Sequence, residues 1–306
     1  MRPAGDGGTA LKTNGSTRDI PDHRKPRPQS HFQHATLGPG QPCRTVGVRA
    51  PYAGSVPPAV RVDLWTVRPS RVPVALLRMG WDRRVRDRPG LRFAKLVGTG
   101  DGRTFTARDA DPLRWGLVSV WDTADQAAAF AEDPTSRGWA RISAEHLVAE
   151  LDPIAARGRW SGVEPFGRPG ADPVGGATDT PRSSGLVASL TRARIRPTHW
   201  RRFWRAVPPV STDLHHVPGL ALAVGIGEAP VGLQGTFSVW HDARALNGFA
   251  YRRAEHRAVV ARTPVEGWYS EELFARFAVR RITGSFAGAT FDDMTFAANS
   301  DGGGGR

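Results

Sequence analysis

The sequence predicts an α+β protein: duplicated ferredoxin-like (βαββαβ) units packed as a single-chain dimeric α/β barrel. Three observations carry that reading. The 306 residues contain two blocks of comparable length joined by linker-like sequence. The blocks repeat the same short segments in the same order. In each, β-branched and aromatic runs alternate with longer helical stretches as strand, helix, strand, strand, helix, strand, the order that lays helices over one face of an antiparallel sheet.

Residues 1–60 are rich in Pro, Gly, Ser and Arg and show no apolar periodicity, so they cannot repay the entropy of ordering and read as a disordered basic extension. The first unit spans 61–166, a Pro/Gly/Ser-rich linker 167–184, the second unit 185–284, and a C-terminal tail 285–306. Gly116-Leu-Val-Ser-Val-Trp121 returns as Gly235-Thr-Phe-Ser-Val-Trp240, and each Trp is followed nine residues later by Phe130 or Phe249. Upstream, Leu91–Gly98 matches Leu220–Gly227; downstream, Glu145-His-Leu-Val-Ala matches Glu271-Glu-Leu-Phe-Ala.

Strands are expected at 72–79, 91–97, 115–121 and 146–151, then at 186–195, 220–226, 233–240 and 273–281. Asp122 or Thr123 caps a helix through Ala131, and Asp242 a longer one through about Arg262. A short helix, Thr198–Ala206, lies between Pro197 and Pro208-Pro209; its counterpart is sought in GWDRRVRDRPG after Met79. Two such sheets can close around a shared interior. Two independent ferredoxin-like domains remain the alternative.

Composition narrows the function. The one cysteine, Cys43, permits no internal disulfide and has no partner at metal-ligand spacing, no window holds 18 consecutive apolar residues, and the first residues lack a secretory apolar core, so a cytoplasmic protein is expected. The net charge of +13 raises nucleic acid as a partner. However, 39 Arg stand against three Lys, and beyond the first 60 residues, which hold eight basic and three acidic side chains, the charge is scattered; nucleic acid is not expected.

No HExxH, GxSxG, P-loop or dinucleotide fingerprint occurs in a fitting context. Asp101, Asp109, Asp111, Asp242, Glu228 and Glu271 read as solvated loop carboxylates without a catalytic role. Gly98-Thr-Gly-Asp-Gly102 follows a strand but leads into no helix, so it reads as a loop at the barrel mouth rather than a phosphate cradle. His256 stands apart. At 100° per residue it shares a helix face with Phe249, Arg253 and Val260, and burial there keeps an imidazole neutral, the form that can ligate iron. A partly buried histidine bonded to a backbone carbonyl is the plainer reading of the same position. Trp121, Trp240, Phe237 and Trp204 are candidates for an apolar substrate pocket, although the repeat-equivalent Trp121 and Trp240 also suit packing. Arg201, Arg202 and Arg205 beside Phe203 and Trp204 make a basic, aromatic face that could meet lipid head groups or simply solvent.

Several stretches resemble the spheroidene monooxygenase family: Phe93-Ala-Lys-Leu-Val-Gly-Thr-Gly-Asp-Gly102 with Phe105-Thr106, Ser119-Val-Trp121, Leu190-Thr-Arg-Ala193, Arg202-Phe-Trp204, Val210-Ser211, Gly225-Ile-Gly-Glu-Ala-Pro230, Phe237-Ser-Val-Trp240, Phe249-Ala-Tyr-Arg252, His256 and Gly267–Phe277. The resemblance runs from about Val74 to Ile282. It implies a monooxygenase of carotenoid biosynthesis that depends on haem, with His256 as the axial iron ligand, dioxygen as oxidant and a ferredoxin-like electron donor. A lipid-soluble substrate would place the protein peripherally at the inner face of a membrane. The extension and the loop TARDADPLR depart from the family pattern, so fold and cofactor transfer better than the carotenoid. A non-catalytic barrel for a small hydrophobic ligand and a cofactor-free oxygenase of the same shape stay open.

Overall fold

The structure is a computed structural model that describes residues 57–82, 85, 87–100, 110–167, 185–195, 217–228, 235–252 and 269–296, with main chain alone at 250–252. Nine strands form one antiparallel sheet: β1 (Ala59–Val67), β2 (Leu91–Gly100), β3 (Ala110–Trp121), β4 (Ser143–Gly158), β5 (Val187–Ile195), β6 (Leu220–Gly227), β7 (Gly235–Trp240), β8 (Tyr269–Phe286) and β9 (Ala289–Thr295). Four α-helices accompany them among the described residues: α1 (Val72–Trp81), α2 (Ala124–Ala129), α3 (Pro134–Ile142) and α4 (Ala243–Arg252). The fold is therefore mixed α+β, dominated by antiparallel sheet.

Strand order is β4-β1-β3-β2-β6-β7-β5-β8-β9, and β4 also pairs with β8, so the first eight strands form a closed ring with β9 attached outside it. Closure leaves no edge among those eight. The β4–β8 seam joins Leu147 to Gly284 at one end and Gly158 to Leu273 at the other. Both glycines adopt positive φ, +91° at Gly158 and +92° at Gly284. A Cβ at either would collide with a carbonyl oxygen of the facing strand, that of Glu272 or of His146 respectively.

Alternation along each strand separates two environments. Val60, Val62 and Leu64, Val118 and Val120, Ala188 and Leu190, Val224 and Ile226, Phe237 and Val239, and Ala275, Phe277 and Val279 belong to one buried cluster to which every strand of the ring contributes; this is the ring interior. The opposite faces lie under helices. In the first half, Trp65, Leu117 and Trp121 pack with Ala75, Met79, Ala127 and Trp139 of α1 to α3 and with Phe130 of the turn between α2 and α3; in the second, Val187 and Trp240 pack with Leu246 of α4.

Several expectations are corrected. Residues 72–79, expected as a strand, form α1: Pro73 sits in its first turn, and the unbranched Ala-Leu-Leu-Arg-Met run suits a helix. The first strand is instead β1, which starts at Ala59, inside the span read as extension. The helix of this unit, sought in GWDRRVRDRPG, is α1, which shares only Gly80 and Trp81 with that stretch. The segment after Ala131 contains α3, capped by Asp133 accepting from the Thr135 N–H at 2.8 Å. Within the expected tail, 289–295 is a strand whose hairpin with β8 turns at Ala287 and Gly288, both at positive φ. The caps hold: Thr123 forms a capping box with Gln126, and Asp242 accepts from the Ala245 N–H at 2.7 Å. The expected helix at 198–206 lies outside the described residues.

Candidate functional site

Phe237 and Trp240 are three residues apart on β7, so they point to opposite faces. Phe237 is buried in the ring interior, whereas Trp240 lies under α4 with its ring 5.4 Å from that of Phe249. Trp121 repeats the arrangement in the first half, 5.3 Å from Phe130. Each indole donates to the serine two residues before it, Trp121 to Ser119 and Trp240 to Ser238, both at 2.9 Å. The expected pocket of Trp121, Trp240, Phe237 and Trp204 is thus corrected: strand alternation separates Phe237 from both tryptophans, and Trp204 lies outside the described residues. His256, Arg253 and Val260 lie outside them too; Phe249 is on the helix expected, packed on the sheet.

On the second half's helix-covered face Val187, Trp240 and Leu246 are buried, with Phe249, Ala223 and Ala245 packed against them. Among the described residues this face holds no iron ligand. The two described histidines are engaged or exposed: His146 Nε2 is 2.9 Å from Asp63 Oδ1 and its ring stacks on Trp65, and His241 is solvent-exposed. Among the described residues no group of three or more His, Cys, Asp or Glu side chains could hold a metal.

Polar chemistry gathers instead at one end of the ring interior. Arg192 continues the inward frame of Ala188 and Leu190 and is only 2% exposed. Its guanidinium bonds both Glu228 and Glu271 and lies 5.6 Å from the Trp160 ring. Trp160 Nε1 donates to Glu228 at 2.8 Å, and Lys95 approaches the same carboxylate at 3.5 Å while donating to Ser161 Oγ at 2.7 Å. Glu271 also accepts the successive main-chain N–H groups of Ser161 and Gly162, at 3.1 and 2.7 Å. Positive φ at both residues aims these donors at one carboxylate.

Burial pushes the Glu228 carboxyl up, but the charges of Arg192 and Lys95 and the bonds from Arg192 and Trp160 outweigh it and hold the group below the usual carboxylate range. Burial likewise raises Glu271, and the Gly162 N–H, Arg192 and the Ser161 N–H bring it below that range. Two cations and two ionised carboxylates compensate one another. Such a cluster orients and anchors; carboxylates held ionised are poor proton donors. The reading of Glu228 and Glu271 as solvated loop groups is therefore corrected: Glu271 lies on β8 and Glu228 immediately follows β6. The signal was available in Ala188-Ser-Leu-Thr-Arg192, where an arginine occupies the apolar frame of a strand.

A second buried charge group lies under the first half's helices. Asp63, fully buried, accepts Arg61 Nε and Nη2 at 2.9 Å each as well as His146. Burial pushes its carboxyl up, but Arg61 and His146 hold it below the usual range. Arg61 also donates to the Ala127 carbonyl, which ties α2 to the sheet. The sequence reading passed over this group because it placed the first strand at 72–79 and none over Arg61 and Asp63.

No protein-family model matches the chain. Curated relatives do. The chain is 36% identical over 221 residues to the spheroidene monooxygenase of Rhodobacter capsulatus, covering 72% of this chain and 88% of that protein. To the spheroidene monooxygenase of Rubrivivax gelatinosus it is 37% identical over 207 residues, covering 66% and 74%. Solved structures overlap it more weakly. An aldoxime dehydratase in complex with butyraldoxime matches with a TM-score of 0.47 at 12% identity, over 75% of this chain and 81% of that one. An anthrone oxidase-like protein matches with a TM-score of 0.28 at 13% identity, over 78% and 96%.

Proposed function

Because the chain belongs to the spheroidene monooxygenase family, and is accordingly a monooxygenase, we propose that it oxidises a carotenoid of the spheroidene type or a similar apolar molecule, using dioxygen, haem and an external ferredoxin-like electron donor. The observation that carries this reading is the 36% identity extending over 221 residues and 88% of the Rhodobacter capsulatus relative. In such a reaction one oxygen atom enters a substrate C–H bond and the other leaves as water, with two electrons and two protons from the donor side.

The finer fold reading supports it. The first four strands of the ring run β4-β1-β3-β2 and the last four β6-β7-β5-β8, the same order reversed and shifted by four strands. That order supports two ferredoxin-like units closed on each other through β2–β6 and β4–β8. The paired seam glycines and the two Trp–Ser bonds fit the same duplication.

Haem, when bound, supplies an iron centre able to reduce dioxygen one electron at a time. His256 is the proposed ligand, with Phe249, Arg253 and Val260 beside it. A polyene would be held by burial against apolar side chains rather than by hydrogen bonds.

Full-length protein produced with haem supplied is expected to show a Soret band that His256→Ala abolishes. With a reductant, a ferredoxin and spheroidene, it is expected to consume oxygen and yield a product heavier by oxygen. A wild-type spectrum without a Soret band overturns the haem reading, and an unchanged band in His256→Ala removes that ligand.

A further inference from the structure

The helix α1, VPVALLRMGW, has one charged residue in ten. A helix apolar on all sides belongs either in a core or against lipid. Only part of α1 is in the core: Ala75 and Met79 are buried against the first sheet, whereas Leu76, Leu77 and Trp81 are 49%, 75% and 81% exposed. Leu77 and Trp81 stand one helical turn apart, so they form a single outward ridge. They also line an open groove of about 640 Å³ with Val74, Val85 and Pro134, beside Arg78 and Arg88, which are ion-paired with Asp82 and Asp133.

The ridge is framed by positive charge. Between positions 68 and 88 the sequence holds seven arginines against two aspartates and no glutamate. Arg68 and Arg71, just before the helix, are solvent-exposed. Exposed leucines, an indole and flanking arginines together make the surface of a helix that lies in a lipid interface: the apolar ridge enters the acyl boundary, Trp81 sits at head-group level, and the guanidinium groups meet phosphates. We propose that α1 and its flanking arginines dock this protein on an anionic membrane surface. The charge complementarity selects an acidic bilayer, and the aliphatic ridge separates that surface from a merely cationic one. The proposal depends on neither haem nor the identity of the oxidised substrate.

The test is co-sedimentation of the full chain with vesicles of phosphatidylcholine alone and of phosphatidylcholine mixed with phosphatidylglycerol. Wild type is expected to bind the anionic vesicles at least about ten-fold more tightly than the neutral ones, and Leu77→Ser/Trp81→Ser and Arg68→Glu/Arg71→Glu each to lose about ten-fold or more. Circular dichroism checks that the doubly substituted chains remain folded. Independently of those variants, lipids brominated in the acyl chains are expected to quench a component of the tryptophan emission that is missing in Trp81→Phe. Absence of wild-type binding to anionic vesicles overturns the proposal. So does wild-type affinity in Leu77→Ser/Trp81→Ser, which would assign the attraction to cationic sequence elsewhere. A change from dimer to monomer in that variant with vesicle binding intact overturns it as well, by making the ridge a contact between copies of the chain.

Discussion

Replacing Arg192 by methionine tests whether the end of the ring interior is held by charge. Methionine keeps most of the apolar stem and removes the guanidinium, which bonds Glu228 and Glu271 and is almost wholly buried. Two charge-assisted hydrogen bonds at about 1.5–3 kcal/mol each, or the cost of breaking a buried ion pair by deleting one partner, both give a loss of roughly 3–5 kcal/mol at neutral pH. The pH dependence is the sharper signature. In the native protein both carboxyls sit below their ordinary range, so their contribution is fully present above the unfolded value of about 4.3 and is lost as pH falls through the folded values. Without Arg192 the largest remaining influence on each is burial, which favours the protonated form. The deficit relative to wild type is therefore expected to be large at pH 7 and to shrink towards pH 4. Urea unfolding followed by far-ultraviolet circular dichroism at both pH values measures it. An equal deficit at the two pH values, or one below about 1 kcal/mol at pH 7, would refute the argument.

Three further outcomes follow from the same contacts. Asp63→Asn leaves Arg61 buried against a neutral partner and is expected to cost about 3–5 kcal/mol at pH 7 in urea unfolding, less at acid pH because the native aspartate is held below its usual range; Arg61→Met/Asp63→Leu should recover much of the loss. Ser119→Ala and Ser238→Ala each remove the acceptor of a buried indole N–H and should cost about 1–3 kcal/mol apiece, by similar amounts if the halves are equivalent, as read from their melting temperatures. Gly158→Ala and Gly284→Ala force a side chain into a facing carbonyl at positive φ and are each expected to lower stability by about 2–5 kcal/mol in thermal unfolding, against little change for Gly288→Ala on steric grounds, where strain alone remains.

How far the sequence was legible depended on which physical signal dominated each segment. Apolar runs flanked by turns located seven of the eight ring strands, and capping side chains located the starts of α2 and α4. The signal failed at Val72–Met79, where apolar periodicity does not separate helix from strand, and at β1, where the inward residues Val60, Val62 and Leu64 alternate with Arg61 and Asp63 on the helix-covered face. There a buried ion pair looks like surface composition. The same cause hid Glu228 and Glu271: a charged residue reads as solvated until its partner is found, and Arg192 is 36 and 79 positions away from them. Phe249 and Trp240 were legible because nine-residue spacing recurs in both halves. The grouping of Phe237 with Trp240 failed on the two-residue alternation of a single strand.

The seam between β4 and β8 meets its partner in the same way at both ends, a left-turning glycine facing a leucine. In an assembly of two identical chains, any substitution at such a ring would appear twice, once at each mouth. Here the two halves share one reading frame, so each opening can diverge alone. One carries Arg192 with its carboxylates, while the corresponding register position on β1 is Leu64. The ring is thus chemically polar, charged at one end and aliphatic at the other.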